Sequence, residues 1–203
     1  MSARKFDRFL GIKTRGLKEW KGHHHYNRYE ATPYQALEKL AQSYRFNTKG
    51  RLVDFGCGRG RVVFYLHNRF KIPIVGIEAD DVVFGEALDN KQSYRLRAKE
   101  IPARIRFKFG LAEDYRIKKA DTCFYFFNPF SERIFKKVAE NIAESLGKSP
   151  RTADLILYYA LPEYKKIIKK KTPFRLINKI RIPGAADPLE KFVVYRSRPV
   201  QAG

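Results

Sequence analysis

The chain has 203 residues, 44% of them hydrophobic, enough for one domain with a substantial core and not the make-up of a mainly disordered polymer. Lys and Arg number 42 against 21 acids, a formal net charge of +21 with a pI near 10.0, and self-repulsion at that level predicts a polyanionic partner such as nucleic acid. No apolar run approaches the roughly 20 residues that span a bilayer, and Met1 to Lys5 leads into no apolar signal core, so a cytoplasmic location is expected. The two cysteines, Cys57 and Cys123, stand 66 positions apart and suggest neither a disulfide framework nor a zinc site, so no metal is expected.

Residues 1–30 read as a basic N-terminal extension and 31–203 as the main domain. The first 28 residues hold eight cations (Arg4, Lys5, Arg8, Lys13, Arg15, Lys18, Lys21, Arg28) against two acids, together with the only tryptophan, Trp20. His23, His24 and His25 are consecutive and cannot all face one metal on regular structure, so a surface loop is the expectation there. Helix is predicted to begin at Thr32, with Pro33 at the first helical position and Gln35 completing a capping box. Leu37, Leu40, Ala41 and Tyr44 follow at helical spacing as its buried stripe.

From Arg51 onward strand and helix alternate. Apolar strands are predicted at 52–55, 74–77, 105–109, 122–127, 155–159, 174–182 and 191–196, with helices near 60–70, 81–98, 132–146 and 162–170. Short apolar strands between helices predict a buried, mostly parallel sheet with helices on both faces. The last two strands are joined through Pro183-Gly184 to Pro188 without a helix and read as an antiparallel pair. The expected architecture is an α/β, Rossmann-like sheet of seven strands, six parallel and one reversed.

The sharpest motif is Asp54-Phe55-Gly56-Cys57-Gly58-Arg59-Gly60, which follows the first strand and opens a helix. Glycines let the backbone turn tightly and approach a ligand at the helix N-terminus. Arg61 stands where a dinucleotide fingerprint wants its third glycine. Asp54 just before the turn suits a cationic amino-acid group and would repel a pyrophosphate. These details favour S-adenosylmethionine over a dinucleotide. Glu78 ends the second strand 20 residues beyond Gly58, the distance at which a strand-end carboxylate meets ribose hydroxyls.

Asp54 to Gly60, then Glu78, then Asn128-Pro129-Phe130 resemble the ordered motifs of the class I S-adenosylmethionine-dependent methyltransferases, over roughly residues 30 to 198. The resemblance implies a seven-stranded sheet with its last strand reversed. It implies that Asp54 neighbours the methionine amine, that Gly56, Cys57, Gly58 and Gly60 line the cofactor, and that Ala112, Glu113 and Asn128 complete its site. Leu111 stands where an adenine-binding acid is common in the family, and Glu113 is the substitute. Phe127-Asn128-Pro129-Phe130 is similar to the Asn/Asp-Pro-Pro-aromatic motif of enzymes that methylate planar nitrogen groups, shortened by one proline. In that reading Asn128 fixes a ring edge, Pro129 stiffens the turn and Phe130 offers a face on which a base stacks, while Phe124, Tyr125 and Phe126 are core.

No histidine or cysteine is placed as a catalytic base or covalent nucleophile, so methylation of a ring or exocyclic nitrogen fits better than carbon methylation. Residues Tyr26 to Tyr34, with Phe126 to Phe130, resemble a small Gram-positive bacterial group associated with guanine-N7 methylation of 23S ribosomal RNA. That resemblance implies a lid at 26–32 carrying Arg28 and Tyr29 toward the base. Eight cations from Lys165 to Arg181, among them Lys165, Lys169 and Lys170, have no acid between them and suit phosphate contact. A protein side-chain methyltransferase, a DNA or RNA adenine-N6 methyltransferase and a non-catalytic RNA-binding protein remain as alternatives.

Overall fold

The computed structural model describes residues 2–16, 25–27 and 29–199; Arg28, Trp20, His23 and His24 lie outside them. The elements in chain order are α1 (Ala3–Leu10), α2 (Tyr34–Ser43), β1 (Arg51–Phe55), α3 (Arg61–Phe70), β2 (Ile74–Glu78), α4 (Asp81–Arg97) and β3 (Ile105–Phe109). After a single 3-10 turn at Ala112–Asp114 come β4 (Asp121–Phe127), α5 (Glu132–Lys148), β5 (Ala153–Tyr158), α6 (Pro162–Lys171), β6 (Arg175–Arg181) and β7 (Lys191–Ser197). The strands form one sheet in the order β3-β2-β1-β4-β5-β7-β6, with β7 antiparallel to both of its neighbours and the other pairs parallel. Six strands therefore run one way and one is reversed. Strand order turns back between β1 and β4, the switch point beyond whose carboxyl edge ligands bind in open α/β sheets.

Period-two alternation sends each strand's side chains to two separate cores. Leu52, Cys123, Tyr125, Ile156 and Tyr158 pack with α1, α2 and α3 on one face, while Val53, Phe55, Phe124, Phe126, Leu155 and Leu157 pack with α5 and α6 on the other. Asp80 caps α4 by accepting from the Val83 amide at 2.8 Å, and Pro162 opens α6, where its missing N–H costs nothing. No helix among the described residues is long and apolar enough to cross a membrane.

The start of α2 departs from expectation. Pro33 occupies the N-cap with no side-chain bond, and the Thr32 hydroxyl lies 2.9 Å from that of Tyr125 on β4. Gln35 reaches the Pro183 carbonyl instead of closing a box. A buried tyrosine hydroxyl on the sheet outcompetes the local cap because leaving it without a partner is the costlier alternative.

The N-terminal residues form a docked element. Phe6 stacks on Tyr34 with centroids 4.5 Å apart, and Leu10 and Ile12 are buried in the first core. Asp7 is the anchor: its carboxylate accepts from the Thr14 amide (3.0 Å), the Thr14 hydroxyl (2.8 Å) and Tyr34 (2.6 Å). Arg61 at the start of α3 continues the network, donating to the Thr14 hydroxyl at 2.8 Å and to the carbonyls of Thr14 and Thr32, both at 3.2 Å. Its presence in place of a glycine thus ties the chain's first residues to the glycine turn. Asp7→Ala strips three bonds from one buried carboxylate and should destabilise the chain by roughly 2–4 kcal/mol. That is a fall in melting temperature of about 2–4 °C per kcal/mol, read by calorimetry.

Candidate functional site

The glycine turn crosses the carboxyl end of β1. Gly56 has φ 72°, and a Cβ added there would lie 2.4 Å from the Pro129 ring. Gly58 has φ 54°, and its Cβ would lie 2.1 Å from the Tyr29 ring. Glycine at these positions is what lets the segments carrying Pro129 and Tyr29 close over the turn.

Two carboxylates converge here. Asp54 is 2% exposed, and its Oδ2 is buried without a hydrogen-bond partner among the described residues. Burial first, and the nearby Glu78 second, hold its pKa well above the usual carboxylate range. Glu78 is also shifted upward by burial, against the pull of the three amides it accepts from: Gly58 at 2.7 Å, Ala79 at 2.8 Å and Asp80 at 3.0 Å. Cys57 is buried, and desolvation followed by Glu78 and Asp54 keeps its thiol protonated. A nucleophilic role for Cys57 is therefore disfavoured.

Residues 25–27, 29 and 30 lie across the turn as a strap. Tyr26 and Phe130 form an isolated antiparallel bridge, with Asn27 N–H donating to the Pro129 carbonyl at 3.0 Å and Ser131 N–H to the His25 carbonyl at 2.7 Å. The Asn27 amide also donates to the Asn128 carbonyl at 2.7 Å. The Tyr26 hydroxyl donates to Glu113 at 2.7 Å and accepts from the Ala112 amide at 2.9 Å. Tyr29 donates to the Thr14 carbonyl at 2.7 Å, and the Arg59 guanidinium stands 4.9 Å from its ring centroid. Beneath the strap the space is small: about 40 Å³ beside Glu78 and Gly56, and about 20 Å³ beside Asp54 and Cys57.

A roomier cavity of about 490 Å³ opens at the carboxyl ends of β4 and β5. Phe127, Tyr158 and Tyr159 supply aromatic walls, and Asn27, Asn128, Glu30 and Glu190 supply polar ones. Phe127 and Glu30 border this cavity and both smaller ones, so the three adjoin. Asn128 has φ 40°, and its Oδ1 is buried with no partner among the described residues. Glu190 and Glu30 both act on Tyr158, whose hydroxyl is pushed up chiefly by burial.

The predicted glycine-turn residues, Asp54, Glu78, Ala112, Glu113, Asn128, Pro129 and Tyr29 are brought to this one edge. Phe130 is the exception and a correction: it is 0% exposed, packed edge-on against Phe126 and Tyr26, with its carbonyl accepting from Tyr164. No base can stack on it there. The aromatic that borders the cavities is Phe127, followed by Tyr158 and Tyr159 on the neighbouring strand end. Lys165 is half-buried near Lys191 and Lys179, and burial and those two cations lower its pKa. Lys169 and Lys170 are exposed further along α6, and Arg28 lies outside the described residues.

No protein-family model matches the chain, and no curated protein matches it by sequence. Solved structures do match. A geranyl diphosphate C-methyltransferase from Streptomyces coelicolor, bound to S-adenosyl-L-homocysteine, is 14% identical with TM-score 0.56, covering 82% of this chain and 76% of its own. An RNA methyltransferase from Salinibacter ruber, also with S-adenosyl-L-homocysteine, is 16% identical with TM-score 0.57, covering 85% and 95%. A TehB-like methyltransferase from Corynebacterium glutamicum is 15% identical with TM-score 0.53, covering 81% and 86%. The fold is the one these S-adenosylmethionine-dependent methyltransferases share.

Because the folded-state pKa of Asp54 is raised, its contribution to stability is fully present below the unfolded carboxylate pKa and is lost as pH rises through the folded value. Asp54→Asn keeps the shape and removes the charge. Its melting temperature should match the parent near about pH 4 and exceed it at about pH 8, where an unpartnered buried charge costs on the order of 1–3 kcal/mol. Equal melting at the higher pH would show Asp54 to be satisfied.

Proposed function

We propose that this chain is an S-adenosylmethionine-dependent RNA methyltransferase acting on a guanine nitrogen, with N7 of a guanine in 23S ribosomal RNA as the favoured position. The observation that carries the reading is a pair of buried acceptors without donors among the described residues, Asp54 Oδ2 and Asn128 Oδ1, at the carboxyl ends of the two strands flanking the switch point. Buried polar atoms are nearly always satisfied, so two orphans beside adjoining cavities call for donors from ligands.

The residues fit the cofactor. Asp54 would take its ammonium group, and Glu78 the ribose hydroxyls. The backbone from Gly56 to Gly60 would line its length, with Cys57 packed beside it. Adenine presents an acceptor next to an amine donor, the same pair of groups that the Tyr26 hydroxyl offers to the Ala112 amide and the Glu113 carboxylate. Tyr26 thus stands in for the adenine edge, as Tyr29 stands against Gly58, and the strap yields when the cofactor enters. Bound S-adenosylmethionine would supply an electrophilic methyl group.

The chain's own task is alignment. Phe127, Tyr158 and Tyr159 form flat walls for a base, and base–aromatic stacking contributes roughly 1–3 kcal/mol toward holding an extruded nucleotide. Guanine carries N–H donors on its Watson–Crick edge, which Glu30 and Glu190 are suited to accept. The same carboxylates favour the positive charge that a base gains on N7 methylation. N7 presents a lone pair and needs no general base. An exocyclic amine would want two acceptors, and the Pro129 carbonyl next to Asn128 is already engaged by Asn27. Lys165, Lys179 and Lys191 lie near one another and, with the net charge of +21, suit a phosphate backbone.

Three measurements test this reading. Titration calorimetry should show S-adenosylmethionine binding that Asp54→Ala abolishes. Asn128→Ala should keep that binding while methyl transfer to ribosomal RNA falls by roughly 10²-fold. Mass spectrometry of ribosomal RNA nucleosides with and without the gene should differ by one methylated guanine, and a changed adenine or methylated protein instead would refute the acceptor assigned here. Tyr26→Phe, which removes both competing bonds, should bind the cofactor about fivefold more tightly, since one such bond is worth ~1 kcal/mol. Weaker binding would mean that Tyr26 supports the site and does not compete for it.

A further inference from the structure

A second large cavity, about 660 Å³, lies between the C-terminal half of α4 and the start of β3. Five cations line it (Lys91, Arg95, Lys99, Arg104 and Arg106), and no acid does. Its walls are otherwise largely apolar, including Ile101 and Pro102. His67 at its edge is already engaged on both ring nitrogens, by the Tyr94 hydroxyl at 2.8 Å and the Ala103 carbonyl at 2.9 Å. Burial, then Arg95 and Arg106, disfavour the charged form of Lys91. Like charges gathered around a concavity raise the energy of the fold and are relieved by an anion.

The cationic lining continues beyond the cavity. Arg104 stands just before β3, and within the strand Arg106 and Lys108 alternate with Ile105, Phe107 and Phe109, so period two puts these two cations on one face, the one turned away from Phe84 and Tyr94 of α4. β3 is one of the two edge strands of the sheet, and its far end, Phe109, pairs with Glu78. Five residues of strand cover about 16 Å, so the charges run from the amino edge of the sheet toward the edge where the candidate active site lies.

We infer that this cavity and the adjoining face of β3 form a second RNA contact, an exosite that holds phosphates of a single-stranded segment remote from the modified base. A linear array of cations matches a chain of phosphates better than one free anion, and the apolar wall accommodates a base face. The exosite lies at the amino ends of the strands and the acceptor cavity at their carboxyl ends. A substrate that touches both must reach around the sheet, which an extended RNA does and a nucleotide does not. The inference rests on the RNA reading above.

The test compares three forms of the full chain binding a fluorescent single-stranded RNA: wild type, Arg95→Ala/Arg106→Ala, and Arg45→Ala/Lys49→Ala, which removes equal charge from exposed positions elsewhere. The exosite pair should weaken binding about tenfold at low salt and flatten the log–log salt slope by about 1.5. The control pair should change affinity by less than about twofold, and melting temperature and S-adenosylmethionine binding should be unchanged in both. RNA binding by the exosite pair that equals the control overturns the exosite and leaves the RNA reading standing. A wild type that binds no RNA at low salt sinks the RNA reading and the exosite with it. Inorganic pyrophosphate competing as strongly as RNA for the wild type but not for the exosite pair would make the cavity a free-anion site and overturn the inference.

Discussion

Two carboxylates on adjacent strand ends, Asp54 and Glu78, are held close together in a place where burial opposes the charge of both. Most of the surrounding architecture can be understood as a response to that constraint. Glu78 is relieved locally, because the glycine turn and the start of α4 aim three amides at it. Asp54 receives no such relief on Oδ2. A fold optimised for stability alone would place an apolar or fully hydrogen-bonded side chain there.

The strap over the turn is the counterpart of that deficit. Its hold is made of polar contacts: the His25 carbonyl on Ser131, the Tyr26 hydroxyl on the 3-10 turn, Asn27 on Asn128 and Pro129, and Tyr29 on Thr14. Thr14 in turn is fixed by Asp7 and Arg61. One end of the covering segment is therefore tied to a rigid helix pair, while its middle rests on groups suited to a ligand. Neighbouring residues of the strap border different spaces: Tyr26 and Asn27 the small one beside Glu78, and Asn27 also the larger one beside Asn128.

The sheet was legible from sequence because its strands are short apolar runs bounded by turns, and all seven fall within two residues of the expected bounds at nearly every end. The glycine turn and Glu78 were legible because their chemistry is local. What failed was non-local. Thr32 reads as a cap from its neighbours, yet its partner is Tyr125, 93 positions away. Phe130 reads as an exposed ring after a proline, but the left-handed turn at Asn128 leaves Phe127 bordering the cavities and buries Phe130 in the second core. Helix α1 was masked by its charges, although Ala3, Phe6 and Leu10 already stood at helical spacing. Glu30, Tyr158, Tyr159 and Glu190 come from three separate segments. Only the end of the Leu155–Tyr159 run, beside the Phe127 strand end in an α/β sheet, carried a sequence signal toward them.

Charge on the outermost strand has a consequence of its own. Among the described residues β6 has no strand partner on one side of its backbone, and it exposes Leu176 and Ile177 beside it, a surface open to strand addition by another chain. Arg175, Lys179 and Arg181 stand exposed along the same strand, so a second copy approaching in register meets its own charge. Like charge along this edge therefore opposes edge-to-edge pairing of two copies.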